Sequence, residues 1–160
     1  MALIIEDGTG KADAQSYVSL AEFKAFYEAR GFDFIGTESM LVKAMDYLET
    51  LNYLGTKAFA SQALSFPRVI LTTDVAPFTI PQKLKSAQMQ LAIAVALGVD
   101  LMPTRGATGF VKREKVGPIE TEYSETVNAG ISPEFPIVDA LLADLVSGGT
   151  DSFFLVSRRV

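Results

Sequence analysis

One stretch limits the possible folds more than any other: Ile80 to Gly98, IPQKLKSAQMQLAIAVALG. Pro81 lacks an N–H and so suits a first helical position, where that group would have no partner. Gly98 suits the left-handed residue that closes a helix, and Pro103 blocks continuation. Leu84, Ala87, Leu91, Val95 and Gly98 recur at helical spacing, with Lys83, Lys85, Gln88 and Gln90 as the polar side. Ala92, Ala94 and Ala96 leave the second half almost without polar side chains and slim enough for another helix to come close. A helix that is apolar all round is a buried one. The expectation is a mainly α fold: a small bundle of about four helices around this central buried helix, with one β-hairpin and an extended C-terminal tail.

The flanking elements follow from local signals. Leu3 and Ile5 alternate, which predicts a short strand over Met1–Ile5, and Glu6 to Gly10 form a turn. Gly8-Thr9-Gly10-Lys11 has neither the spacing nor the following helix of a phosphate loop, so turn is the assignment. Ser19 and Glu22 make a capping box, and Val18 with Phe23 a hydrophobic staple. That helix is expected to run to Arg30, stop at Gly31, and bury Leu20, Phe23, Phe26 and Tyr27. A second helix, Thr37 to about Asn52, carries Leu41, Ala44, Met45 and Leu48 inward, extended by Tyr47 and Leu51, with Glu38, Lys43, Asp46 and Glu49 outward. Phe66-Pro67-Arg68 reads as extended, since residues before proline avoid the α region. A last helix opens at Pro136, turns Ile137, Val138, Leu141, Leu142 and Leu145 inward, and ends at Ser147-Gly148-Gly149.

Between these helices the period changes. Phe110 to Tyr123, FVKREKVGPIETEY, alternates as a strand does. Folding it at Gly117-Pro118 sets Val116 opposite Ile119, Lys115 opposite Glu120 and Arg113 opposite Glu122. Val116, Ile119 and Tyr123 then share an apolar face on a ribbon too small to be stable in isolation. Residues 1–147 are expected to form one helical domain that includes hairpin 110–123, followed by a C-terminal interaction tail, 148–160. In that tail Phe153, Phe154, Leu155 and Val156 follow a Gly-Gly hinge. They suit either packing back on the domain or docking as an arm on a partner.

The composition excludes much chemistry. The chain has no histidine and no cysteine, which removes the commonest general base, the commonest metal ligand and thiol nucleophiles. No Ser-x-x-Lys or Gly-x-Ser-x-Gly motif occurs, and the carboxylates are spread along helix faces. No catalytic residue, metal site or cofactor is therefore expected, and the chain is not expected to be an enzyme. The N-terminus lacks a basic region and a long apolar segment, so no secretory signal is expected. Leu91 to Val99, the longest apolar run, is far too short to cross a bilayer. A net charge of −5 opposes a surface that tracks phosphates throughout. Phe110, Lys112, Arg113, Lys115 and Tyr123 interleave rings and cations as a stacking platform would. Glu114, Glu120 and Glu122 offset that charge, and a self-neutralised hairpin accounts for it.

Taken together, MALIIEDGTGKADAQSYVS, AMDYLETLNYLGTK with QALSFPR, VKREKVGPIETEY and FPIVDALLADLV resemble a family of tailed-bacteriophage proteins, in order and over nearly the whole chain. That family is often labelled DnaT-like single-stranded DNA-binding protein and is similar to head–tail connector adaptors. Phe66 stands where a tryptophan would be expected, and the residues after Gly148 match no part of the pattern. The resemblance implies a structural virion protein: a twelve-fold ring of this chain in the neck, assembled in the host cytoplasm. Its implied partners are itself, the portal protein and a tail or neck (stopper) protein. DNA would pass through the ring as cargo, and no membrane is involved. On this expectation Lys112, Arg113, Lys115, Val116, Ile119, Tyr123, Phe153, Phe154, Leu155 and Val156 make the oligomer and partner interface. The alternative is the one in the label, a single-stranded DNA-binding protein acting in phage replication.

Overall fold

The computed structural model describes residues 3–71, 76–103, 113–116, 119–122 and 134–147. The elements run α1 (Leu20–Glu28), α2 (Glu38–Leu48), β1 (Thr56–Lys57), β2 (Arg68–Val69), α3 (Gln82–Ala96), β3 (Arg113–Val116), β4 (Ile119–Glu122) and α4 (Pro136–Leu142). Four helices and an antiparallel hairpin make the fold mainly α, as the periodicity predicts. The chain divides into two compact units, Met1–Leu101 with Phe135–Val160, and Met102–Glu134. The hairpin, expected within a 1–147 domain, belongs to the second of these.

In the larger unit α3 packs against α2 and α4 and touches α1. Pro81 takes the position just before the first helical residue. At the other end Gly98 adopts φ +87°, which a side chain would oppose. Its N–H reaches the Val95 carbonyl while the Val99 N–H reaches that of Ala94, so the last carbonyls are satisfied. Leu84, Ala87, Leu91 and Ala92 are buried, whereas Ala94, Val95 and Ala96 are only half-buried and Leu97 is 68% exposed. The second half of the helix is therefore apolar without being enclosed among the described residues.

The larger correction on α3 concerns Gln88, expected on the polar side. It is fully buried. Its amide donates to Ser16 Oγ (2.7 Å) and the Leu41 carbonyl (3.1 Å), and its carbonyl accepts from the Tyr17 N–H (3.1 Å). One side chain thus ties the N-terminal segment and α2 to α3. Glu6 does similar work: its buried carboxylate accepts from the N–H groups of Gly8, Gly10 and Lys11 at 2.7–2.9 Å. The anion seat of this glycine-rich turn is filled by the chain's own carboxylate, which confirms the turn and leaves no place for phosphate. Among the described residues the N-terminal segment makes one parallel bridge, Ile5 to Ser16, in place of the expected strand.

On α1 the capping box forms as expected, but the helix ends at Glu28 with Ala29 as cap, and only Phe23 and Tyr27 are fully buried. On α2, Leu41, Ala44, Met45 and Leu48 are all buried. Glu49 does not face outward: its carboxylate accepts from Ser65 N–H (3.0 Å) and Ser65 Oγ (2.8 Å), and from the Tyr17 hydroxyl at 3.3 Å. β1 and β2 pair antiparallel, a sheet too short to leave a periodic signal. Arg68 braces it from inside, donating to the carbonyls of Leu54 (2.7 Å), Gly55 (2.7 Å), Tyr53 (3.2 Å) and Ser65 (3.3 Å). On α4, Val138 and Leu142 are buried, as is Leu145 in the turn that follows, but Ile137, expected inside, is 63% exposed in the first turn. After α4 the chain laces onto the 52–54 segment through Leu54 N–H to the Leu145 carbonyl and Ser147 N–H to the Asn52 carbonyl.

Candidate nucleic-acid interface

The hairpin pairs Arg113 with Glu122, Glu114 with Thr121, Lys115 with Glu120 and Val116 with Ile119. This is the register that charge and apolar matching predict. Of the expected interface residues it brings together Arg113, Lys115, Val116 and Ile119. Lys112, Tyr123, the Gly117-Pro118 turn and the tail residues Phe153, Phe154, Leu155 and Val156 lie outside the described residues.

The segment around β3 is where the chain concentrates positive charge. Between Thr104 and Val116 stand Arg105, Lys112, Arg113 and Lys115 against the single acid Glu114, with Phe110 among them. Several cations among the described residues of the helical unit are paired with acids. Lys83 pairs with Asp144 (2.6 Å), Lys85 with Glu22 (3.4 Å), Lys24 with Glu28 (3.8 Å) and Lys11 with Asp7 (2.9 Å). Arg68 is committed to carbonyls.

Tyr17, Glu49 and Ser65 form a part-buried polar cluster with Tyr53 close to Glu49. Burial first, and then the Glu49 charge, push both tyrosine hydroxyls far above the ordinary phenol range. They stay protonated and act as fixed donors, Tyr17 to Glu49 and Tyr53 to the Leu48 carbonyl. Among the described residues no group of three or more acidic side chains could hold a metal ion. No helix there is long and apolar enough to cross a membrane.

Sequence reasoning missed a second surface. The Arg30 guanidinium lies 3.2 Å from the centre of the Phe26 ring, and Phe32 is 48% exposed just beyond the end of α1. The signal was available: Phe26 and Arg30 are four residues apart on one helical face, and Phe32 follows a glycine stop.

These features define a small helical unit and, in the second unit, a basic strand segment. The chain belongs to the family described as "Putative DnaT-like ssDNA binding protein", whose model matches residues 1–160. Comparison with curated proteins and with solved structures finds no match.

The family match overturns the connector expectation. With it fall the twelve-fold ring, the portal and tail or neck partners, DNA as mere cargo, and the place in the virion neck. The physical reason lies in what the shared segments do. The EDGTGK turn closes on Glu6, the Tyr17, Glu49 and Ser65 contacts join three of the quoted segments, and Arg68 of QALSFPR binds carbonyls. Those residues maintain the fold internally, so their likeness to an adaptor carries no information about a ring.

Proposed function

We propose that the protein binds single-stranded DNA and catalyses no reaction. The observation that carries this is the family match across the whole chain. Its chemistry fits: a net charge of −5 repels a polyanion at large, so contact must be local. The cations between Arg105 and Lys115 supply such a place, and Phe110 and Tyr123 supply rings on which bases can stack. Stacking tolerates any base, which suits binding without sequence preference. We also propose that the four helices form a bundle organised around α3, supported by its contacts with each of the others. In this arrangement the hairpin segment supplies the phosphate contacts.

Opposed variants test the assignment. Lys112→Ala with Arg113→Ala should weaken binding of labelled oligothymidine and flatten its salt dependence by about 1.4 in slope, at about 0.7 per lost phosphate contact. Glu120→Gln with Glu122→Gln should strengthen binding, because each acid stands opposite a cation in the register. Affinities unmoved by both pairs would place the interface elsewhere.

A further inference from the structure

The rings at the end of α1 form a connected series that leads from the core to the surface. Phe23 and Tyr27 are buried and meet edge to face at 5.8 Å; Phe34 meets them at 5.4 and 5.8 Å. Phe32 packs on Tyr27 at 5.3 Å and is the outermost ring, 48% exposed. Gly31, at φ +79°, makes the left-handed turn that sends the chain back over α1 and sets Phe32 there. Two residues earlier in the chain, Arg30 is fixed by stacking on Phe26 and by donating to the Phe26 carbonyl at 2.8 Å. A large ring held by a buried tyrosine and half in water has lost its freedom before any ligand arrives. That is what a base-stacking position requires.

We propose that Phe32 is a base-stacking position for single-stranded DNA, separate from the hairpin cations; this rests on the single-stranded DNA binding proposed above. Single-stranded nucleic acid is the occupant that the chemistry favours. A basic partner would be drawn to Glu28 and Asp33 but has no use for an outward ring, whereas an unpaired base offers a π face to it. Glu28 and Asp33 offset Arg30 and Lys24, so the contact gains little from phosphate and is governed by stacking. Its signature is a contribution that salt does not change.

The 160-residue chain has no tryptophan, so Phe32→Trp installs a unique fluorophore at the proposed contact. Oligothymidine should quench it on binding, while Leu71→Trp, at a position 94% exposed, should not be quenched. Phe32→Ala should weaken binding roughly 5- to 150-fold at an unchanged salt slope. Phe32→Leu keeps an apolar side chain on Tyr27, and should give the same weakening with the melting temperature preserved. A wild-type chain that binds while Phe32→Leu and Phe32→Ala bind equally well overturns the stacking position alone. Equal quenching at positions 32 and 71 overturns it also. A wild-type chain that binds no single strand removes the DNA function itself.

Discussion

Gln88→Leu puts the internal frame to a direct test. The substitution nearly conserves volume, so packing changes little, and the cost comes from hydrogen bonding. The Tyr17 N–H makes its contact with the Gln88 side chain inside a fully buried environment. Leaving that donor unsatisfied costs about 1–3 kcal/mol. Two further bonds, to Ser16 Oγ and the Leu41 carbonyl, are lost at about 0.5–1.5 kcal/mol each. Ser16 Oγ keeps its contacts with Val18, so its share belongs at the low end. The gain from burying leucine offsets part of the loss, leaving a net cost of about 2–3 kcal/mol. For a domain stabilised by about 5–15 kcal/mol that is a large fraction. Urea unfolding should show a lower midpoint at an unchanged slope. A midpoint equal to or above the wild type would mean that Gln88 is not a structural tie.

Two further outcomes follow from the same frame. Arg68→Lys retains the charge but cannot reach the Leu54, Gly55 and Tyr53 carbonyls together, so it should cost about 1.5–3 kcal/mol in urea unfolding; a neutral result would show the fork to be dispensable. At Glu22 burial acts to raise the carboxyl pKa, but the Ser19 N–H, the Ser19 hydroxyl and Lys85 outweigh it, so the pKa lies below its ordinary 4.5. A depressed folded-state value means the stabilisation is present above about 4.5 and is lost as pH falls through the folded value. Melting temperatures of wild type and Glu22→Gln should therefore converge in acid; a gap that widens there contradicts the cap's role.

The parts of the fold that were legible in the sequence are those with a period or a two-residue signature. The α2 stripe, the Ser19–Glu22 box, the Gly98 stop and the hairpin register are of this kind. Gln88 was misplaced because it was sorted by polarity. Its position, four after Leu84 and three before Leu91, lies on the buried stripe, and that spacing was the better guide. Ile137 has the converse problem: an apolar residue in a helix's first turn can precede the point where the helix meets the core. β1 and β2 span two residues each, so their pairing depends on Arg68 and its carbonyls, partners that become visible only in three dimensions. As for the site, charge density pointed to the Arg105–Lys115 segment, but the pairing of cations with acids in the register argued it away. Nothing in a single sequence weighs self-neutralisation against use by a ligand.

The most direct measurement is anisotropy titration of a labelled oligothymidine, and of a duplex of equal length, by the wild-type chain across a salt series. Four cations, Arg105, Lys112, Arg113 and Lys115, allow at most four phosphate contacts at about 0.7 each, so the slope of log affinity on log salt should be no steeper than about −3. The account predicts a clear negative slope within that bound and preference for the single strand over the duplex. Absence of binding at low salt, affinity indifferent to salt, or equal affinity for the duplex would contradict it.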